Sequence, residues 1–89
     1  MSCAGWGELE VSMTIREILA DYPKGTLLKV WIKDSGMPGG LISYMGQFLV
    51  DRRTIRNQAT GRTWGEARDE FISYNRYRPA IAKVKPVGR

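Results

Sequence analysis

The chain has 89 residues, a net charge of +5 and an apolar fraction of 43%, which is ordinary for one small globular domain with a modest core. It contains no His, and this excludes Ser–His and Cys–His catalysis and most zinc sites. The single Cys3 allows no internal disulfide and indicates a reducing, cytoplasmic environment. No apolar run approaches the ~20 residues of a membrane span, and the first residues lack the features of a signal peptide.

The positive charge is concentrated in the second half of the chain. Residues 1–45 carry four Lys or Arg against five Asp or Glu, whereas residues 46–89 carry ten against four. Eight of those ten are Arg, whose planar guanidinium suits forked contacts with phosphate or guanine. This distribution favours an anionic partner for the second half.

The chain opens with a segment that has no regular period. We expect residues 1–12 to form a flexible leader, with an edge strand at 9–11 as the alternative. Thr14 and Glu17 then form a capping box, which predicts a helix that ends at Pro23. Its apolar residues recur on one helical face: Ile15, Ile18, Leu19 and Tyr22.

Two strands joined by a glycine-rich loop (34–40) are expected next, over 26–33 and 41–50, with a bulge or bend at Gly46. Alternation in the first strand places Leu28, Val30 and Ile32 on the core side. The other side carries Lys29, Trp31 and Lys33, which would suit a stacking platform for single-stranded nucleic acid. We expect instead that a helix or the C-terminal segment covers Trp31 in a three-layer arrangement.

The stretch from 51 to 71 predicts two consecutive helices. In the first, Asp51 is the N-cap and Gly61 the stop, and one face carries Arg53, Arg56, Asn57 and Thr60. A capping box of Thr63 and Glu66 starts the second helix. Its apolar stripe is expected to face the sheet and to leave Tyr77 as the freer ring: Trp64, Ala67, Phe71 and Tyr74.

These elements predict an α+β fold with an N-terminal helix, a small antiparallel sheet of two to three strands, and two further helices packed on one face. The single domain would span residues 13–78. Residues 79–89 would form a basic C-terminal segment, with an edge strand at 80–85 as one possibility.

The middle of the chain also carries a run of short motifs. These are Gly25-Thr26, Trp31, Tyr44-Met45-Gly46, Ile55, Ala59-Thr60-Gly61 and Trp64-Gly65. Over residues 25–71 the run resembles RAMA-type domains, which are associated with restriction enzymes and adenine methylases, and related phage-borne small domains. The resemblance implies a hairpin, a short helix and a Thr-Gly turn that together bind DNA.

The leading functional expectation is a small, phage-like nucleic-acid-binding protein, with double-stranded DNA as the partner. Arg reads guanine and Asn or Gln reads adenine in the major groove, and Arg or Lys also neutralises phosphate. The expected contact residues are Arg52, Arg53, Arg56, Asn57, Gln58, Arg62, Arg76, Arg78, Lys83 and Lys85.

Three other interpretations stay open or are weaker. The basic face is equally typical of a solvated surface, and a protein-interaction module or phage-type inhibitor that docks on an acidic host protein fits the same composition. Glu66, Asp69 and Glu70 have the spacing of a hard-cation site, but one helix surface supplies too few ligands. We therefore expect no metal, no cofactor and no enzymatic activity.

Overall fold

A computed structural model describes residues 13–35 and 41–88 of the chain. The expected leader (residues 1–12) and most of the glycine-rich loop (36–40) lie outside the described residues. Within the described ranges the chain forms two helices and a four-stranded antiparallel sheet. The elements are α1 (Ile15–Asp21), β1 (Leu27–Asp34), β2 (Ser43–Val50), β3 (Ile55–Asn57), α2 (Trp64–Asn75) and β4 (Pro79–Pro86).

The capping box predicted for the first helix is present. The Thr14 N–H donates to Glu17 Oε1 at 2.9 Å, and the Glu17 N–H donates to Thr14 Oγ1 at 3.1 Å. These bonds satisfy backbone donors that a helix start leaves without intrahelical partners. α1 is then fixed by Ile18, which is fully buried.

The sheet has the strand order β3-β2-β1-β4, so the predicted hairpin of β1 and β2 forms its centre. The bend predicted at Gly46 is confirmed: Gly46 has φ +136°, and the β1–β2 register shifts beside its partner Val30. β4, which contains the possible strand at 80–85, pairs with β1 along its length and lies at one edge.

Both helices contribute to one core on one face of the sheet. That face buries Leu28, Val30 and Ile32 of β1, as alternation predicts. In α2, Trp64 packs edge-on against Phe48 of β2, with ring centroids 5.9 Å apart. The described residues therefore form two layers, and the expected three-layer arrangement is wrong for them. The expected contact of the C-terminal segment with Trp31 is confirmed, because Lys83 of β4 lies over the half-buried Trp31 ring.

The predicted architecture is wrong at residues 51–60, which form a bend, β3 and a turn in place of a helix. Ile55 is fully buried and pairs with Val50 of β2, so the segment adds a strand to the sheet. Asp51 and Asn57 bond to nearby backbone N–H groups. Such local bonds favour turns over helix, and burial of Ile55 stabilises the extended alternative.

The second capping box is confirmed, with Thr63 as the N-cap of α2 and Glu66 as its partner. The apolar stripe of α2 is shorter than predicted. Trp64 and Ala67 are buried, but Tyr74 is 79% exposed. Tyr77 is the more covered of the two tyrosines, because its ring packs edge-on against Phe71. The expected roles of Tyr74 and Tyr77 are therefore reversed.

Candidate nucleic-acid interface

The ten residues assigned to nucleic-acid binding lie in three parts of the structure. Six belong to the segment from 52 to 62, two to the connection between α2 and β4, and two to β4 itself. Because the first segment is not a helix, its side chains do not share the helical face that the spacing predicted. Each part therefore makes its own set of contacts.

Asn57 holds the turn that follows β3. Its Oδ1 accepts hydrogen bonds from the backbone N–H groups of Ala59 at 2.8 Å and Thr60 at 3.0 Å. Its own N–H donates to the Arg62 carbonyl at 2.7 Å. An amide that reads adenine needs that same oxygen to accept from the base. Because this oxygen already accepts from two donors, its role here is structural, and base readout by Asn57 would break the turn.

Arg56 connects the bend before β3 to the turn after it. Its Nε donates to Asp51 Oδ2 at 3.0 Å, and its Nη1 donates to the Gly61 carbonyl at 3.1 Å. The backbone N–H of Arg52 and the Arg56 guanidinium hold the pKa of Asp51 below its ordinary value. The charge of Arg56 is thus partly used within the protein.

Arg62 connects the same turn to α2. Its Nη1 forms an ion pair with Glu70 Oε1, and this carboxylate raises the pKa of the Arg62 guanidinium. Its backbone N–H donates to Thr60 Oγ1 at 3.2 Å. The pair is about half exposed, so it orients the side chain and contributes little to stability.

The other polar residues of the first two parts are exposed and dispersed. Arg52 and Arg53 lie in the bend and Gln58 in the turn. Arg76 is the C-cap of α2 in a left-handed conformation, with φ 64°. The Arg78 carbonyl accepts from the Ser35 N–H at 3.0 Å, which ties the start of β4 to the end of β1. These residues therefore belong to three different segments of the chain: the bend before β3, the turn after it, and the connection between α2 and β4.

Lys83 and Lys85 belong to a different surface, the side of the sheet that faces away from the helices. We call it the outer face. Residues opposite one another in an antiparallel sheet share a face, so the strand register defines its members. They are Leu27, Lys29, Trp31, Lys33, Tyr44, Gln47, Leu49, Arg56, Ala80, Lys83 and Lys85.

Two irregularities in the register arrange this face around Trp31. On one side, Gly46 opposes Val30 while Tyr44 opposes Trp31, so Met45 is the extra residue. On the other, Lys83 opposes Trp31 while Ile81 opposes Ile32, so Ala82 is the extra residue. Beyond an extra residue, the side chains of a strand point to the opposite side of the sheet from the one that regular alternation would give. The first bulge thereby places Tyr44 on the outer face, and the second returns Ile81 to the core.

Trp31 is the centre of the outer face. The Lys83 Nζ lies over its ring, 4.8 Å from the centroid, an arrangement worth ~0.5–1 kcal/mol at an exposed site. The Tyr44 ring lies on its other flank, with centroids 5.4 Å apart and planes tilted by 56°. Trp31 is half-buried by these neighbours, whereas Tyr44 remains 52% exposed.

The outer face is cationic and contains no Asp or Glu among its strand residues. Lys29 and Lys85 are direct cross-strand partners, and like charges in that position destabilise a sheet. Within residues 13–35 and 41–88, no carboxylate forms an ion pair with Lys29, Lys83 or Lys85. The charge of these three lysines is not neutralised by the part of the chain that the structure describes.

Sequence reasoning found part of this surface. Alternation in β1 placed Lys29 beside Trp31, and the C-terminal segment supplied Lys83 and Lys85. It missed Tyr44, because regular alternation from Leu49 and Gln47 would have put Met45 on that side. Gly46 was the available signal, since a bulge there changes the direction of every residue before it.

A groove and several acidic groups lie elsewhere in the described residues. A groove of about 320 Å³ lies between the turn and α2, but its charged groups, Arg62 and Glu70, are paired with one another. Glu66 caps α2, and the Asp69 Oδ1 lies 3.6 Å from the Arg68 Nη2. Among the described residues, no group of three potential ligands is placed to hold a metal ion, and no helix is long and apolar enough to cross a membrane.

Comparison with known proteins adds no relative. No protein-family model matches the chain, and no curated protein or solved structure is significantly similar to it. The resemblance of residues 25–71 to RAMA-type domains stays a prediction.

Proposed function

We propose that this protein binds nucleic acid through the outer face of its sheet. Lys29, Lys83 and Lys85 would contact phosphates, and the aromatic pair of Trp31 and Tyr44 would lie against the sugars and bases. The observation that carries the proposal is the lysine cluster itself: three cations on one open sheet face, two of them direct cross-strand partners, with no carboxylate paired to them among the described residues.

A phosphate backbone would relieve the repulsion that this arrangement creates. Placing like charges opposite one another costs a few tenths of a kcal/mol or more, so the arrangement does not serve stability. Neutralising phosphates releases condensed counterions, which is the main sequence-independent source of affinity for nucleic acid. The same lysines that weaken the sheet in isolation would therefore stabilise a complex. A cytoplasmic location accompanies the proposal, because the chain has a single Cys.

The second candidate is a module that docks on an acidic protein surface. The exposed apolar side chains near the lysines favour it: Leu49 is 38% exposed and Tyr44 is 52% exposed. Aromatic residues are enriched in protein interfaces as well as in nucleic-acid interfaces. Salt dependence separates the two candidates, because only a polyanion releases condensed counterions along a linear backbone.

The test compares two triple variants of equal net charge. Lys29, Lys83 and Lys85 are changed together to Gln in the first variant, and Arg16, Arg52 and Arg53 are changed together to Gln in the matched control. The control residues are exposed and lie on α1 and in the bend before β3. Two of them, Arg52 and Arg53, are among the contact residues that the sequence predicted. Binding to fluorescein-labelled single-stranded and duplex DNA is measured by anisotropy at several salt concentrations.

We expect the outer-face variant to lose most of its affinity and the control to lose little. The slope of log affinity against log salt should flatten by roughly two units or more, since each neutralised phosphate contributes about 0.7 to 0.9. Equal losses in the two variants would show that net charge, and not this face, determines binding. Absence of binding by the wild-type protein at the lowest salt would reject nucleic acid as the partner.

A further inference from the structure

We infer that the outer face selects unpaired nucleotides, DNA or RNA, by stacking a base on Tyr44; this inference rests on the proposed function. It adds a substrate class and one residue that distinguishes it.

The outer face is too broad to enter a DNA groove. Neighbouring strands are about 4.8 Å apart, so the axes of four strands span roughly 14 Å before side chains are added. The major groove is about 12 Å wide and admits a helix or a two-stranded ribbon. A duplex could therefore meet this face only through its phosphates, whereas the bases of a single strand are free to turn towards it.

Tyr44 is the ring that remains available on this face. One face of Trp31 is occupied by the Lys83 ammonium at 4.8 Å, and its flank by Tyr44 at 5.4 Å. Tyr44 is 52% exposed, and Trp31 supports it from beside. The bulge at Gly46 directs Tyr44 to this side of the sheet, in line with Lys83 across Trp31.

Cations lie where the backbone of a stacked strand would pass. Lys83 is the cross-strand partner of Trp31. Lys29 and Lys85 form the neighbouring pair on the same face of β1 and β4. A base on Tyr44 would leave its phosphates near these lysines. An aromatic platform beside a cationic track is the arrangement by which proteins bind single strands with little sequence preference.

The test uses three labelled probes and three variants of the full chain. The probes are oligothymidylate and oligouridylate of about ten nucleotides and a DNA duplex of the same length. Tyr44→Leu removes the ring and keeps an apolar side chain, and Tyr44→Phe restores the ring. Tyr74→Leu is the matched control, because Tyr74 is also exposed but lies on α2, away from this face.

We expect the wild-type protein to bind at least one single strand more tightly than the duplex at moderate salt. Tyr44→Leu should weaken binding of that single strand about 5- to 100-fold, without changing the salt slope or the affinity for duplex. Tyr44→Phe and Tyr74→Leu should bind like the wild type. Comparison of oligothymidylate with oligouridylate shows which of the two single strands, DNA or RNA, this face prefers.

The outcomes separate this inference from the proposed function. Equal affinity for single strand and duplex, or no effect of Tyr44→Leu, would overturn the inference; loss of binding on removing the three lysines would still support the proposed function. Equal losses in Tyr44→Leu and Tyr74→Leu would likewise reject a stacking role specific to Tyr44. Failure of all three probes to bind at low salt would overturn both.

Discussion

At the residue scale, the most informative feature is a pair of like charges on neighbouring strands, which lowers the stability of the sheet. Lys29 and Lys85 face each other across β1 and β4, and within residues 13–35 and 41–88 no carboxylate forms an ion pair with either lysine. Departures from the rules that stabilise a fold are expected at functional sites. Stability and binding should therefore respond in opposite directions to a change at this position.

We expect Lys85→Gln to raise the free energy of unfolding by about 0.2–1 kcal/mol at low ionic strength and to weaken nucleic-acid binding. The gain should shrink as salt screens the repulsion. Lys24→Gln is the control, because Lys24 is an exposed lysine whose charge helps to lower the pKa of Asp51. Urea denaturation at two salt concentrations measures both variants. A less stable Lys85→Gln would mean that the lysine pair is not repulsive.

The second prediction at this scale concerns the contribution of Asn57 to stability. Asn57→Ala removes the oxygen that accepts from Ala59 and Thr60, and should cost about 1–3 kcal/mol of stability. Asn57→Asp keeps an oxygen acceptor in that position and should recover most of the loss. Chemical denaturation of the three proteins tests this. If Asn57→Ala were as stable as the wild type but less selective among DNA sequences, the base-reading role expected from the sequence would be right after all.

At the element scale, burial decided which local signals prevailed. α1 and α2 begin at their capping boxes, and β1 follows its alternation. Residues 51–60 carry equally plausible helix signals, yet Ile55 is fully buried as part of β3. The apolar stripe of α2 likewise ends before Tyr74, whose side chain is 79% exposed.

Trp64 and Tyr74 make a matched pair within α2. Trp64 is 8% exposed and packs on Phe48, whereas Tyr74 is 79% exposed. Trp64→Ala should cost about 3–5 kcal/mol, a large part of the stability of a domain this small. Tyr74→Ala should change stability by less than about 0.5 kcal/mol. Thermal melts that ranked the two variants in the reverse order would contradict the position of α2 on the sheet.

The helix starts, the hairpin and the bend at Gly46 could be predicted from sequence because each depends on residues close together in the chain. β3 could not, because residues 51–60 carry helix signals as plausible as their strand signals, and only the burial of Ile55 beside Val50 in the folded sheet decides between them. The candidate site was predicted in part for the same reason. Lys29 and Trp31 are neighbours on one strand, but Tyr44 and Lys83 meet them only through register shifts that lie in the sheet.

At the scale of the whole molecule, the two sides of the sheet have different chemistry in the described residues. One side of the sheet holds the apolar core and both helices. The other presents lysines around an aromatic pair. The Arg-rich half of the chain contributes less to this face than its charge suggests, because Arg56 and Arg62 pair with Asp51 and Glu70. We therefore propose that the lysines on β1 and β4, and not the arginines of the turn, contact nucleic acid.

The most direct test of that assignment is an NMR titration of ¹⁵N-labelled full-length protein with unlabelled oligothymidylate. We expect the largest chemical-shift changes at the backbone amides of residues 29–31, 44–47 and 83–85 and at the Trp31 indole N–H. The buried Trp64 indole should remain unchanged and serve as the internal reference. Changes concentrated at residues 52–62, with the outer face unaffected, would contradict the central claim and return the interface to the arginine-rich turn.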